Sequence, residues 1–357
     1  MHKILKQCLG VDVSKSSLSL SLGSLDGGLK KEFTSHPDIK NNISGFKELK
    51  AWLGKTVIKN VDFYVLMEAT GVYHQEVCHY LYGLGHKVCV MQSGRVKRYA
   101  QSLDQRSKTD ALDSKMLSML GLERDLRLWE PPSKEMQQLK SLSRERSSLL
   151  KDRTTETNRQ GAIKSSSYSN KKSIRRHTQR LKLIEEQIAA IEQEMLDLVS
   201  EVPTLRKRIG HLESIPGISF ISAATVVGET LGFESIYNAK QLTSYAGYDV
   251  VLRESGNFKG RTKISKKGNS HIRAVLHMPS MTCVRCNPTL RQFYGRLKPN
   301  KAKPLVALVA VQRKLLILMY TLWKNELDYD SEFENKKQQR LKALAAQDSS
   351  QIKLSAS

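Results

Sequence analysis

The strongest constraint on the fold is a short apolar run near the N-terminus that carries one carboxylate and precedes a strictly alternating segment. The run CLGVDV occupies residues 8–13 and contains Asp12. In the segment SSLSLSLGS that follows, leucine alternates with serine, and a period of two predicts a half-buried strand. We therefore predict two strands joined by a turn near residues 14–16. Because an unpaired carboxylate in a buried strand is costly, Asp12 needs a counter-charge.

The chain up to about residue 125 continues with strand patterns that give way to alternating strands and helices. The run DFYVLMEATG predicts a buried strand with Glu68 near its end. The other predicted elements are a turn at 26–28, a strand at 31–35, helices at 43–53 and 72–84, a strand at 87–92 and a helix after Thr109. This order predicts an α/β domain built on a central mixed sheet.

A proline pair, Pro131 and Pro132, interrupts the chain next. Beyond it, residues 134–162 and 175–200 predict two long helices separated by the serine-rich segment SSSYSNKKS. Apolar residues of the second helix step by three and four, as in a coiled-coil seam, and they are Leu181, Ile184, Ile188, Ile191, Met195 and Leu198. An intramolecular hairpin and a dimerisation arm both fit this seam.

The length of the chain predicts more than one packed unit. At 357 residues it exceeds the size at which a single core stops growing. We predict an α/β domain at 1–128, a basic helical hairpin or coiled coil at 129–201, a mainly helical C-terminal domain at 202–327 and a polar tail at 328–357.

The charge of the chain indicates its partner. The formal net charge is +23 and the isoelectric point is near 9.8, which favours a polyanion. Residues 139–182 carry thirteen Lys and Arg against three acids, and residues 253–303 carry thirteen against one, so two stretches hold nearly all of the excess. Localised charge predicts two surfaces that track nucleic-acid phosphates, although charge alone does not separate DNA from RNA. These stretches lack the Trp-, Phe- and Leu-rich opposite face of a membrane-binding helix.

Cysteine usage and hydropathy predict the compartment. Five cysteines, an odd number, are scattered without a disulfide spacing, which favours a reducing cytosol. Cys283 and Cys286 form one CxxC, but no second pair completes a zinc site, so a structural role is favoured. The N-terminal apolar run is too short for a signal peptide, and no uninterrupted apolar segment of membrane-spanning length occurs. We expect a soluble protein with no membrane partner.

Four carboxylates have the residue types of a metal site. Asp110 and Asp113 lie three apart in KTDALDSKML and project from one face of the predicted helix, although exposed pairs of this kind often only solvate a surface. With the strand-borne Asp12 and Glu68 they supply the oxygen ligands that a two-metal nuclease site needs. The predicted cofactor is Mg²⁺ or Mn²⁺. Thr109 is expected to cap the helix or to position phosphate.

The second basic stretch contains a glycine-rich loop, RESGNFKGRTKISKKGNSHIRAVLHMPSM. Glycines at 256, 260 and 268 are expected to let backbone amides approach phosphate, and the predicted nucleic-acid-binding side chains are Arg261, Lys263, Lys266, Lys267 and Arg273. His271 and His277 lie near the following helix and are more typical of structural or phosphate contacts than of a general base. Upstream, SIPGISFISAATVVGETLG fits either a phosphate-binding helix-hairpin-helix with its turn at Pro216 and Gly217 or a plain helix corner.

The motifs GVDVSK, LMEATGVY and KTDALDSKML resemble the N-terminal RuvC-like DEDD domain of insertion-sequence 110 family transposases. The resemblance implies metal-ligand roles for Asp12, Glu68, Asp110 and Asp113, and an RNase H-like sheet with helices around it. The second domain of that family carries an ESG motif followed by a G…SKxG…R pattern, which here begins at Glu254 and ends at Arg273. The nucleophilic serine of the family maps onto Ser255. The segment LTSYAGYDV also matches and is expected to pack beside the serine loop.

The resemblance implies a DNA transposase or recombinase whose metal-assisted serine cuts and rejoins donor and target DNA. It further implies a non-coding bridge RNA as guide, a dimer or tetramer with sites shared between protomers, and a cytoplasmic, nucleoid-associated location. The carboxylates and Ser255 are then expected to meet in a DNA-bound assembly. Three alternatives stay open: a related site-specific DNA invertase, a Holliday-junction-type nuclease that forms no covalent link, and a basic binding protein with a degenerate nuclease fold.

Overall fold

The structure is a computed structural model that describes residues 3–69, 71–103, 109–252, 254–256, 258–260, 263–300 and 303–333. The chain divides into two compact units, Met1–Pro131 and Pro132–Ser357. The division falls within the proline pair. A further boundary between residues 201 and 202 stays a prediction.

A five-stranded mixed sheet forms the centre of the N-terminal unit. Its strands are β1 (Ile4–Val13), β2 (Ser17–Asp26), β3 (Lys31–Lys40), β4 (Asp62–Glu68) and β5 (Lys87–Met91), in the order β3-β2-β1-β4-β5. β1, β2 and β3 pair antiparallel, whereas β4 pairs in parallel with both β1 and β5. The predicted mixed sheet is confirmed, as is the strand at 31–35, which extends to Lys40.

Alternation along β1 divides the side chains between two packed faces. Leu9 and Val11 belong to one core with α1 (Ile43–Thr56) and α2 (Gln75–Gly83), which begins three residues later than predicted. Cys8 belongs to a second core with α3 (Ser93–Ser102) and α4 (Asp110–Glu123). The sequence patterns did not predict α3. Helices thus cover both faces, which is the α/β architecture expected.

The C-terminal unit is mainly helical, as predicted. It begins with two long antiparallel helices, α5 (Lys134–Lys164) and α6 (Lys171–Ser200). The shorter helices are α7 (Pro203–Glu213), α8 (Phe220–Thr230), α9 (Ala239–Tyr245), α10 (Ser270–Val275), α11 (His277–Cys286) and α12 (Pro288–Leu297), and a last long helix is α13 (Pro304–Asn325). One core joins residues from α5, α6, α7, α8 and α13.

The predicted coiled-coil seam of α6 packs inside this unit. Ile188, Ile191 and Met195 are buried, and the other three seam residues are half-buried. Polar contacts between α5 and α6 fix the register, including Arg146 Nε donating to Glu192 Oε1 at 2.7 Å. This is the arrangement of an intramolecular hairpin. Dimerisation through the hairpin stays a prediction.

Among the described residues, α13 alone is long and apolar enough to cross a membrane. Its sequence carries Gln312, Arg313 and Lys314 at the centre, and one face, including Val311, Leu315 and Met319, is buried in the core of the C-terminal unit. That packing is typical of a core helix.

Candidate active site

Two of the predicted metal ligands lie side by side at one edge of the sheet. Asp12 is the penultimate residue of β1, and Glu68 is the last residue of β4. The parallel register pairs Val11 with Met67, so the next position along both strands places Asp12 beside Glu68. Because side chains alternate along a strand, both carboxylates project to the face that holds Cys8, Gly10 and Leu66.

The N-terminus of α4 reaches the same edge because α4 runs antiparallel to β1 in close contact with it. A Cβ built on Gly10 would lie 2.0 Å from the backbone oxygen of Ser114, so only glycine permits this approach. Ser118 Oγ donates to the carbonyl of Cys8 at 2.8 Å. From Ser114, one helical turn toward the start of α4 covers about 5.4 Å along the helix axis. From Gly10, two residues along β1 in the same direction cover about 6.7 Å and reach Asp12. The first turn of α4 therefore lies near Asp12.

We call this edge the carboxylate corner and define it by Asp12, Glu68, Asp110 and Asp113. Asp12, Glu68 and Asp113 are half-buried, and Asp110 is exposed. Asp12 and Glu68 are less buried than expected, because both lie near the ends of their strands. Partial exposure lowers the cost of a charged carboxylate and leaves its oxygens accessible to a cation.

Asp110 and Asp113 also have a structural explanation. Thr109 is the N-cap of α4, and its side chain accepts a hydrogen bond from the Leu112 amide at 3.2 Å, so its predicted capping role is confirmed. Acids in the first turn of a helix are stabilised by its positive end. Their position therefore stabilises the helix whether or not a cation is bound.

The side chains of the carboxylate corner are of the type that binds divalent cations, but they are not close enough together to coordinate one. Carboxylate oxygens are the ligands that Mg²⁺ and Mn²⁺ prefer. Across the part of the chain that the structure describes, no three His, Cys, Asp or Glu side chains are grouped closely enough to hold a metal ion. The donor types and the shared edge fit a cation, and binding requires the side chains to move together.

Ser255 lies in the C-terminal unit on a small exposed hairpin. β6 (Val250–Val251) pairs with β9 (Lys263–Ile264), and between them β7 (Glu254–Ser255) pairs with β8 (Phe258–Lys259). We call the residues described within 250–264 the serine hairpin. Gly256 has a φ of +53° in the tight turn that follows Ser255, a conformation that glycine adopts without strain. Ser255 is exposed, so a large substrate can reach its hydroxyl.

The segment after the serine hairpin is fixed to the preceding loop by backbone hydrogen bonds. The amides of Ser265, Lys266 and Asn269 donate to the carbonyls of Asp249, Gly247 and Tyr245 at 2.8, 3.1 and 2.7 Å. LTSYAGYDV thus packs against residues 265–269 of the glycine-rich stretch, and its last residue, Val250, pairs with Ile264 at the base of the serine hairpin.

Gly268 has a different role from the one predicted. A Cβ on Gly268 would lie 2.4 Å from the carbonyl oxygen of Tyr245 and 2.6 Å from the amide nitrogen of Gly247. Because glycine has no side chain, the backbone of Tyr245 and Gly247 can lie close to Gly268. The expected close approach of a phosphate to this glycine is not supported.

The predicted basic residues differ in how accessible they are. Lys263, Lys266 and Lys267 are exposed. Arg273 is half-buried, and its Nη1 donates to the carbonyls of Ala246 at 2.7 Å and Asn269 at 3.3 Å, so part of its guanidinium holds the backbone. Arg261 lies outside the described residues. Phosphate binding by these side chains stays a prediction.

A buried polar network that links α5, α8 and Asn269 was missed by sequence reasoning. Glu229, in α8, is fully buried and accepts hydrogen bonds from Arg144 Nε at 2.8 Å and Nη2 at 3.1 Å, and from Asn269 Nδ2 at 2.6 Å. Burial alone would raise the pKa of the Glu229 carboxyl, but these bonds hold that pKa below its ordinary value. The sequence signal that could have revealed this network is a single acidic residue, Glu229, in the otherwise uncharged run SFISAATVVGETLG.

His277 and the turn between α7 and α8 have structural contacts. His277 Nδ1 lies 3.2 Å from Gln312 Nε2, and the Tyr248 hydroxyl donates to Gln312 Oε1 at 2.9 Å. Gly217, with a φ of +99°, lies in the turn between α7 and α8, and its position leaves no room for a Cβ beside Cys283. This contact favours the helix corner, and it gives Cys283 the packing role predicted for it.

Two family models match this chain. The first, described as a transposase with the DEDD domain, covers residues 9–163, and the second, the transposase IS116/IS110/IS902 family, covers residues 210–295. Both describe transposases, so the chain is of a class of DNA-processing enzymes. Within that class it belongs to the insertion-sequence 110 family of transposases.

Curated relatives align along most of the chain. The pilin gene-inverting proteins of Moraxella lacunata and Moraxella bovis are each 26% identical over 334 residues, which is 91% of this chain and 98% of theirs. The transposase for insertion sequence element IS1111A of Coxiella burnetii is 22% identical over 75% of both chains. Among solved structures, T. thermophilus RuvC in complex with Holliday junction substrate is 14% identical, with a TM-score of 0.24, over 32% of this chain and 90% of that chain.

Proposed function

We propose that this protein cuts and rejoins DNA with Ser255 as nucleophile and with divalent cations held by Asp12, Glu68, Asp110 and Asp113. The observation that supports the proposal is that Asp12 and Glu68 lie on neighbouring strands at one edge of the sheet and that α4, which carries Asp110 and Asp113 in its first turn, begins near that edge. The family match supports DNA as the substrate. The cytoplasm, at the nucleoid, is the compartment in which such an enzyme meets its substrate.

In the proposed reaction the Ser255 hydroxyl loses its proton and forms a bond to the scissile phosphorus. The bond from phosphorus to the leaving deoxyribose oxygen breaks, and that oxygen takes the electron pair and a proton. The DNA strand is then joined to Ser255 through a phosphodiester, so the reverse step can seal it to a new hydroxyl without another energy source. A serine hydroxyl is a weak nucleophile and needs activation.

The carboxylate corner would provide that activation through the ions it holds. When bound, Mg²⁺ or Mn²⁺ supplies Lewis-acid stabilisation of the phosphate oxygens and of the attacking and leaving groups. The side chains of Asp12 and Glu68 would orient the ions from the sheet, and those of Asp110 and Asp113 from the helix. Lys263, Lys266, Lys267 and Arg273, together with Arg261, would hold DNA phosphates near Ser255.

We further propose that a non-coding bridge RNA selects the donor and target DNA. Residues 139–182, which form the part of the α5–α6 hairpin around its connecting loop, carry thirteen Lys and Arg against three acids, and this positive excess suits a structured RNA as well as DNA. Purification of the protein with its native flanking transcripts tests this guide. Enrichment of one specific RNA supports it, and a preparation free of specific RNA that still recombines DNA contradicts it.

Inversion is the second candidate, because the two relatives that align over 91% of this chain are named pilin gene-inverting proteins. Inversion and transposition would use the same residues and differ in the DNA joined. A plasmid carrying two inverted copies of the element's ends distinguishes them: inversion exchanges the segment between the copies, whereas transposition moves the element to another replicon.

The nucleophile is tested by trapping protein on nicked DNA and separating the products on a denaturing gel. The wild-type protein should give a covalent adduct, and Ser255→Ala should give none. Ser270→Ala is the matched control, because Ser270 is an exposed serine in the same unit that takes no part in the proposed reaction. Cleavage without an adduct in the wild-type protein would instead identify a nuclease that uses water.

The metal ligands are tested by Asp12→Asn in the presence of Mg²⁺. Cutting should be lost, while DNA binding in EDTA stays as in the wild type. Asp62→Asn is the control, because Asp62 is an exposed aspartate at the opposite end of β4 that pairs with Lys87. Undiminished recombination by Asp12→Asn would leave a basic binding protein or a metal-independent enzyme as the explanation.

A further inference from the structure

α3 presents an exposed basic face that has no role in the reaction proposed above. Val96 and Tyr99 bury one side of α3 against the sheet, while Arg95, Lys97 and Arg98 are exposed. The helix sequence SGRVKRYAQS contains no acid. Among the described residues, none of the three cations takes part in an ion pair. Arg95 and Arg98, three residues apart, are neighbours on the helix surface and repel each other unless an anion neutralises them.

The start of α3 lies directly beside the carboxylate corner. Ala69 follows Glu68, its amide donates to the carbonyl of Met91 at 2.8 Å, and its carbonyl accepts from Ser93 Oγ at 3.3 Å. Ser93 is the first residue of α3. The first residue of α3 therefore contacts Ala69, which directly follows the predicted metal ligand Glu68.

The other end of α3 is fixed to α4. The Tyr99 hydroxyl donates to Glu123 Oε2 at 2.7 Å, and Glu123, the last residue of α4, also pairs with Lys31. α3 and α4 thus pack on the same face of the sheet, and both begin at its carboxylate edge. The basic face of α3 flanks this edge as part of a firmly packed element.

We propose that Arg95, Lys97 and Arg98 form a clamp that binds the DNA backbone on one side of the phosphate held at the carboxylate corner. The inference rests on the proposed function, since the corner must receive DNA. Long cationic side chains on a packed helix bind phosphates without reading sequence and set the position of the strand. Flanking contacts would offset the repulsion between the scissile phosphate and four carboxylates when the DNA arrives.

Salt dependence of binding tests the clamp without requiring cleavage. Binding of the full-length protein to a fluorescent DNA duplex is measured by anisotropy in EDTA across a range of salt concentrations. The variant with Arg95→Gln, Lys97→Gln and Arg98→Gln should show a slope of log K against log salt that is smaller by about three, one for each lost phosphate contact.

The matched control removes three exposed cations from α1, which packs on the other face of the sheet. The triple variant Lys47→Gln, Lys50→Gln and Lys55→Gln changes the net charge equally and should leave the slope unchanged. An unchanged slope in the α3 variant, or an equal loss in both variants, overturns the clamp. A loss seen with RNA and absent with DNA overturns it as well.

Single substitutions guard against a folding defect in the triple variant. Each of Arg95→Gln, Lys97→Gln and Arg98→Gln should lower the slope by roughly one with unchanged circular dichroism. If the wild-type protein cuts DNA but all α3 variants bind normally, the clamp fails and the proposed function stands. If the slope falls as expected but no protein cuts DNA, the proposed cutting fails, whereas phosphate binding by the basic face of α3 stands.

Discussion

Exposure separates the acids that hold the fold from those available for chemistry. Glu229 is fully buried, and its two oxygens accept hydrogen bonds from Arg144 and Asn269, so its charge is compensated within the fold. Asp12 and Glu68 are half-buried near the ends of their strands, where solvent can reach them. Burial with full pairing therefore marks a structural carboxylate, and partial exposure at a shared edge marks a candidate ligand.

Removal of Arg144 should be much more harmful than removal of its neighbour on the same helix. Arg144→Ala leaves the buried charge of Glu229 without its cation and should cost roughly 3 kcal/mol of unfolding free energy. Arg146→Ala breaks a pair with the partly exposed Glu192 and should cost less than about 1 kcal/mol. Urea unfolding measures both values, and hydrogen exchange of the α8 amides locates the loss. Equal costs would contradict a structural role for the Glu229 network.

Acid should remove the contribution of Glu229 to stability. Because the folded-state pKa of this carboxyl lies below its ordinary value, its contribution is present above that ordinary value and is lost as pH falls through the folded pKa. The difference in unfolding free energy between the wild-type protein and Glu229→Gln should therefore be full at pH 7 and shrink below pH 4.5. Chemical unfolding at a series of pH values measures it, and a difference independent of pH would refute this linkage.

At the scale of elements, the sequence predicts those whose periodicity is carried by many apolar residues. The alternating leucines predict β2, and the stepped apolar residues predict α6 and its seam. α3 was missed because only Val96, Tyr99 and the half-buried Ala100 face the core, too few for a helical period to stand out among polar residues. The end of β3 was missed because its exposed residues alternate weakly.

The carboxylate corner could be predicted only in part. The sequence identifies Asp12 and Glu68 as strand residues, but their adjacency depends on the parallel pairing of β1 with β4, which sequence patterns do not contain. The approach of α4 depends on Gly10, whose role becomes visible only with the helix packed against it. Ser255 was found through the family resemblance, because nothing in its local pattern distinguishes one exposed serine from another.

Gly10 should be the residue that most sensitively controls the position of α4. Gly10→Ala places a methyl group against the backbone of Ser114 and Ser118, and overpacking of this kind should cost about 1–3 kcal/mol or more. The shift of α4 should also reduce cutting in Mg²⁺. Gly54→Ala, in α1, has open space around it and should be neutral or stabilise by up to about 1 kcal/mol. Urea unfolding and cleavage assays check both, and a harmless Gly10→Ala would argue against the close packing of α4 on β1.

At the scale of the whole molecule, the proposed chemistry is divided between two units of the chain. The carboxylate corner belongs to Met1–Pro131, and Ser255 belongs to Pro132–Ser357. A chain with net charge +23 also repels other copies of itself until nucleic acid neutralises it, so DNA or RNA should favour assembly. The proposed catalytic groups lie in two different units, and assembly is expected to depend on nucleic acid. Both points are consistent with active sites that combine residues of two protomers.

Mixing two inactive variants tests whether the site is shared. Asp12→Asn lacks a functional corner, and Ser255→Ala lacks the nucleophile, so each alone should be inactive. If each site takes its corner from one protomer and its serine from another, a mixed dimer contains one site with both halves intact. A one-to-one mixture exchanged before DNA is added should then recover about a quarter of the wild-type cleavage, since half of the dimers are mixed and each has one active site. If corner and serine come from the same protomer, every site in the mixture keeps one defect, and recovery should be nil.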